Sequence, residues 1–235
     1  RKAVSLHVYA QGESTGDEEF ADYGWILDAR TRRPVWEMNK GKALYGGGAK
    51  KNHRQVETVQ LPPGDYIASY VADGSHSPAD WNAAPPCDPL RYGLILSVAK
   101  EGDRAQVELA PAPEEGPALA KLVRMEDHRN ERASFTLATA GKVRVYAIGE
   151  EDDEEFADGA WIEDEQGKTV WTMTPKNTQH AGGAAKNRMA DEIVALPKGT
   201  YTLRYRTDGS HAHSHWNDTP PWDADHYGVT VYSAK

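Results

Sequence analysis

The sequence predicts an all-β protein: two tandem antiparallel β-sandwich domains of jelly-roll type, derived from an internal duplication. Three observations lead there. A long motif occurs twice at a constant spacing, as Asp73-Gly-Ser-His76, Trp81-Asn82, Pro85-Pro86, Asp88, Tyr92-Gly93 and as Asp208-Gly-Ser-His211, Trp216-Asn217, Pro220-Pro221, Asp223, Tyr227-Gly228. The offset is 135 throughout, and 18 of 40 positions are identical between Leu61–Lys100 and Leu196–Lys235. Self-similarity at a fixed period marks a repeated structural unit. The segments around the motif alternate apolar and polar residues, the period of a strand with one face in a core. Gly- and Pro-bearing turns punctuate them at short intervals, as in sandwiches.

Taken in order, Val4–Tyr9 and Val143–Ala147 alternate and open the two copies. Acidic stretches follow, Asp17–Asp22 and Asp152–Asp158, and are expected to be loops. Trp25–Asp28 and Trp161–Asp164 begin hairpins that return through Val35–Met38 and Val170–Met173, with Trp36/Met38 and Trp171/Met173 on one face. Gly46–Asn52 and Ala181–Asn187 are Gly-rich connections. Neither is followed by the Gly-Lys-Ser/Thr of a phosphate loop, so both read as tight crossovers. Leu61-Pro-Pro-Gly64 and Leu196-Pro-Lys-Gly199 turn into the clearest strand, in which Tyr201, Leu203 and Tyr205 alternate with Thr202, Arg204 and Arg206. The repeated loop comes next, and Leu94–Val98 and Val229–Tyr232 close the copies.

The expected domains are residues 1–103 and 131–235, joined by a linker over 104–130. In the linker Arg104–Leu109 would be a strand, Pro111–Gly116 is Pro/Glu-rich, and Ala118–Asn130 would form a short helix with Leu119, Leu122, Val123 and Met125 on its apolar side. Arg132–Leu137 reads as a hairpin partner leading into Lys142–Ile148. The first copy has no counterpart of that strand, so it either lacks an edge strand or takes one from Arg104–Leu109 or from a neighbouring molecule; an edge left unpaired at Val4–Tyr9 would be open for strand addition, a template for association or a longer repeat array.

The net charge of −9 argues against nucleic acid and anionic membranes as partners. No apolar run approaches the ~18 residues of a membrane helix. No signal peptide stands at Arg1, as expected of a processed or partial chain from a secreted or surface protein. Cys87, the single cysteine, is matched by Trp222 and reads as packing.

An acidic stretch, a hairpin with a turn glycine (Trp161–Met173), Leu196-Pro-Lys-Gly199-Thr-Tyr201 entering a strand and the closing strand Tyr227–Val231, with their first-copy equivalents, resemble the jelly-roll modules of secreted bacterial peptidases, the pre-peptidase C-terminal type. The resemblance implies a non-catalytic accessory domain, often calcium-associated and sometimes ligand-binding.

The repeated loop is the place for a function. On the structural reading its Asp, Ser and Asn satisfy loop backbone, while Trp and Pro-Pro stiffen it. On the binding reading Asp73, His76, Trp81, Asn82, Asp88 and Tyr92, with Asp208, His211, Trp216, Asn217, Trp222, Asp223 and Tyr227, form a ligand or partner surface, for protein or carbohydrate. Adjacent Ser and His cannot make a nucleophile–base pair in an extended chain, and no Gly-x-Ser-x-Gly or His-Glu-x-x-His occurs. No enzyme is expected. His211, His213 and His215 would share one face of an extended segment and suit a transition metal. Asp17, Asp22, Asp152 and Asp158 would be oxygen donors for Ca²⁺ if the acidic stretches approach the repeated loop. Asn217-Asp-Thr219 fits a glycosylation acceptor but is not shared with the first copy, so Asn217 reads as structural. The leading expectation is a structural or self-associating module, with a carbohydrate-binding module and a calcium-binding accessory domain as alternatives.

Overall fold

The structure is a computed structural model; it describes residues 2–16, 19–111, 117–153 and 155–234. The fold is all-β and divides into two units, Arg1–Pro113 and Glu114–Lys235.

The first unit contains β1 (Val4–Ser14), β2 (Phe20–Asp28), β3 (Pro34–Glu37), β4 (Leu44–Tyr45), β5 (Asn52–Leu61), β6 (Tyr66–Val71), the two-residue arms β7 (His76–Ser77) and β8 (Asp80–Trp81), and β9 (Gly93–Val98). β1 lies between β5 and β9, and β5 carries β4 on its far side. β2 pairs with the end of β1 at Glu13↔Asp22, then runs on between β3 and β6. One continuous β1–β2 hairpin thus feeds two sheets, β9-β1-β5-β4 and β6-β2-β3. The crossing is tight. A Cβ on Gly12 would stand 1.9 Å from the Asp22 carbonyl oxygen, and one on Gly149 would stand 2.1 Å from that of Asp158.

The second unit repeats this with β12 (Gly141–Asp152), β13 (Glu155–Glu163), β14 (Thr169–Thr172), β15 (Gln179–His180), β16 (Asn187–Leu196), β17 (Gly199–Arg206) and β18 (Gly228–Ser233). In front of these it places β10 (Ala118–Val123) and β11 (Asn130–Leu137). β10 extends one sheet beyond β18, and β11 extends the other beyond β17. Their inward residues seal the core. Ala120 and Phe135 are buried, Met125 between the strands is buried, and Leu119, Leu122, Ala133 and Leu137 pack against the same cluster. Phe135 stacks on Tyr201 with ring centroids 5.3 Å apart.

Both linker elements are corrected. Ala118–Val123 is a strand because its small and apolar residues pair with β18, with a bulge between Ala118 and Ala120, so tertiary pairing decides a segment whose local pattern suits a helix. Glu101–Gln106 is a 3₁₀ turn in which Asp103 N–H and Val107 N–H bond back to the carbonyls of Lys100 and Arg104. The expected hairpin between Arg132–Leu137 and Lys142–Ile148 is also absent. Asn130–Leu137 pairs with β17 in the opposite sheet, and Gly141–Leu196 begins the pairing of β12 with β16.

The expected open edge at Val4–Tyr9 does not exist: Val4–Tyr9 pairs with Val56–Leu61, and Leu6–Tyr9 also pairs with Ile95–Val98. The open edges of the first unit lie elsewhere. Among the described residues β6 has only β2 as a neighbour and β9 only β1, where β17 and β18 each have a second partner.

Candidate functional site

Asp73 and Asp208 open the repeated loop, and each accepts a hydrogen bond from the backbone of the serine two residues on (2.7 and 2.8 Å), an Asx turn. The next residues dive inward. His76 and His211 are fully buried. Nε2 of His76 lies 2.7 Å from Asn52 Oδ1, and Nε2 of His211 lies 2.6 Å from Asn187 Oδ1. The two asparagines begin β5 and β16, and their Nδ2 groups donate to the carbonyls of Gly47 and Ala84 in one unit and of Gly182 and Thr219 in the other. Those bonds fix the amide orientation, so the ring must carry its proton on Nε2.

On the other side, Nδ1 of each histidine is 2.9 Å from Oδ1 of Asn82 or Asn217, which also accepts from the ammonium of Lys51 (2.6 Å) or Lys186 (2.7 Å). Burial, and then the Lys186 charge, push His211 down to about 4, so its ring is neutral at neutral pH. The Lys186 ammonium also reaches Glu150 Oε1, 2.8 Å away.

Trp81 and Trp216 are half-buried and edge-on to the loop histidine (4.7 and 5.1 Å) and to Tyr92 or Tyr227 (5.2 and 4.9 Å). They wedge the loop rather than stand out as platforms. The Gly-rich connection clasps it from outside: Gly48 and Gly183 have φ of 69° and 65°, and a Cβ there would stand 1.9 and 2.1 Å from the Pro85 and Pro220 carbonyl oxygens. Trp222 packs over Gly182 and edge-on to His180 (5.7 Å), while its counterpart Cys87 is exposed. Asp223 is buried between Tyr146 O–H (3.0 Å) and His226 Nδ1 (2.9 Å); Asp88 is half-buried near Tyr9 O–H (3.3 Å).

The proposed metal residues fare differently from one another. His211, His213 and His215 are not brought together. The chain turns back at this point, with φ of 57° at His211, 71° at Ser214 and an Ala212↔His215 bridge, so the extended segment that would align the rings is not formed. His211 is inside, His213 leans on Trp216 and Asp225, and His215 is exposed. Asp17 lies outside the described residues. Asp152 is exposed at the tip of the β12–β13 hairpin, because the acidic stretch is strand up to that tip and not a loop.

Asp22 and Asp158, in contrast, are fully buried within β2 and β13. Each sits in a group of three carboxylates, Glu13/Asp22/Asp73 and Glu150/Asp158/Asp208, with one oxygen from each residue within 4.8 Å of the others. Asp22 accepts from Asp73 N–H (2.8 Å) and Tyr92 O–H (2.8 Å); Asp158 accepts from Asp208 N–H and Tyr227 O–H (both 2.7 Å). Burial, then the facing carboxylates of Asp208 and Glu150, push Asp158 up to about 7 against those two bonds. Asp22 and Glu150 are also raised, chiefly by burial. Glu13 and Glu150 were absent from the expected site because each ends an alternating strand as an ordinary polar residue, and only the β1–β2 crossing turns it inward.

No family model and no curated protein matches this chain.

Proposed function

We propose that this chain is a non-catalytic interaction module whose first unit accepts a two-stranded β element from a second copy of the chain or a neighbouring repeat. One observation carries the reading. The second unit holds such an element, β10 and β11, on the two edges that its twin leaves uncovered. Equivalent inward positions differ accordingly. Val231 and Leu203 are fully buried, whereas their counterparts Leu96 and Ala68 are exposed, Leu96 at 36%. Tyr205 is fully buried and Tyr70 half-buried. The occupant would pair its backbone with β6 and β9 and direct small and apolar side chains inward, as Ala120, Leu122, Ala133 and Phe135 do beside β17 and β18. The loop histidines, asparagines and tryptophans are spent on internal bonds and ring packing, which suits a stiffened end of a sandwich.

The test is a graft. A second copy of residues 117–139, fused through a flexible linker ahead of residue 1, should protect the amides of Tyr66–Val71 and Gly93–Val98 from hydrogen exchange. It should also abolish any concentration-dependent oligomers seen by light scattering. Unchanged exchange in both strands, with a graft shown to be intact, would overturn the proposal.

A further inference from the structure

The two carboxylate triads have a charge imbalance that the protein's own groups do not correct. Each gathers one carboxylate from the end of a strand (Glu13, Glu150), one from the start of the next (Asp22, Asp158) and one from the repeated loop (Asp73, Asp208). Two of the three are buried in each unit: Asp22 and Asp158 completely, Glu13 and Glu150 to 6% exposure. Burying carboxylates side by side costs several kcal/mol per ion unless opposite charge or donors replace the lost water. The replacements can be counted. Asp22 and Asp158 have two donors each, as above. Glu13 Oε1 has Lys51 at 2.6 Å, and Glu150 Oε1 has Lys186 at 2.8 Å. The second oxygen of each glutamate, Oε2, is buried with no hydrogen-bond partner. With all three carboxylates ionised, one ammonium leaves a net charge of about −2 per triad, and a buried acceptor with nothing to accept from is rare in native proteins.

This happens twice. The two copies have diverged at many neighbouring sites, including the three-histidine turn and the Cys87/Trp222 pair, yet both keep three carboxylates here along with the lysine and the orphaned oxygen.

We propose that each unit binds one Ca²⁺ ion between the carboxylates of Glu13, Asp22 and Asp73, or of Glu150, Asp158 and Asp208. A divalent charge brings each cluster to neutrality and supplies the missing partner for Oε2. All-oxygen donors select a hard cation. Three carboxylates with oxygens within 4.8 Å of one another can close on one ion at ~2.3–2.6 Å, and such a protein-borne carboxylate set suits Ca²⁺, since Mg²⁺ dehydrates reluctantly and is usually held by only one or two carboxylates. Asp73 and Asp208 are exposed, which leaves an entrance and room for water ligands. Lys51 and Lys186 link each triad to the loop asparagine, so the ion would brace the repeated loop from beneath. This inference is independent of strand acceptance by the first unit.

The full chain, stripped with chelator and dialysed, is titrated with CaCl₂ by calorimetry at pH 7.5 and followed by thermal melting. Two sites per chain are expected, with a rise in Tm of ~5 °C at tenfold excess over Kd. Asp73→Asn and Asp208→Asn, exposed positions where the amide oxygen can keep the Asx turn, should each remove one site, and the double variant both. No heat and no Tm shift at about 10 mM Ca²⁺, tenfold above the weakest extracellular affinities, would overturn the proposal, in favour of a proton held between the buried carboxylates. An equal response to Mg²⁺ would overturn the calcium assignment. Binding that survives in the double variant would place the ion elsewhere.

Discussion

The two units share a loop and differ in a wall. In both, a buried histidine is held between two asparagines, a tryptophan packs edge-on to it and to a tyrosine, and the tyrosine hydroxyl donates to a buried aspartate. Corresponding distances within that framework agree to within 0.4 Å. The walls differ because only the second unit has β10 and β11 on the outer edges of its sheets. The difference separates two kinds of constraint. The loop is closed by short-range directional bonds that each copy carries within itself, whereas the core is closed by apolar area that one copy has and the other does not.

The sharpest way to break this comparison is by cavity. Leu203→Ala in the second unit should cost ~2–5 kcal/mol, since the side chain is fully enclosed. The counterpart change in the first unit, Ala68→Leu, should stay within ~0.5 kcal/mol, because that position is exposed. Urea unfolding that shows equal and large effects at both positions would mean the first unit is sealed after all.

Next in size is the loop. Asn187→Ala strands two carbonyls and the His211 Nε2–H, and Asn52→Ala does the same around His76; each should cost ~3 kcal/mol. Equal losses are expected in the two units. A loss confined to the second, measured by hydrogen exchange of each loop, would show that the loop depends on the wall.

The smallest expected effect is in pH. His211 sits at about 4 in the fold against an ordinary 6.5, so the stability it contributes is complete above 6.5 and is lost as pH falls towards 4. Asp158 runs the other way. At about 7 against 3.8, it contributes most when protonated, below 3.8, and that contribution is lost as pH rises through 7. Between pH 6.5 and 4 the two slopes oppose, so these groups leave the chelated second unit nearly flat. With Ca²⁺ bound, Asp158 is held ionised, and stability should fall on acidification over the same window. Parallel slopes with and without the ion in pH-dependent denaturation would exclude the coupling.

Much of this architecture was legible in the chain. The alternation of Tyr201, Leu203 and Tyr205 marks β17 because one face of a sandwich strand must be apolar, and the buried Trp36/Met38 and Trp171/Met173 pairs lie where the hairpin period puts them. The Asx turns at Asp73 and Asp208 are local chemistry, readable from Asp-Gly-Ser alone. Ala118–Val123 was not legible. A short run of small and apolar residues satisfies a helix or a strand equally, and only the free side of β18 settles it. The carboxylate triads lay further still from the linear text. In each triad the loop aspartate stands 50 to 60 residues from the two strand carboxylates, and Glu13 and Glu150 look like any polar residue at a strand end. Periodicity and turn chemistry act between near neighbours, so sequence alone determined the strands shared by the two copies, the duplication and the loop's stiffness. Which edges stay open and which charges meet are decided by contacts between distant segments, and those exist only once the β1–β2 and β12–β13 hairpins have crossed from one sheet into the other.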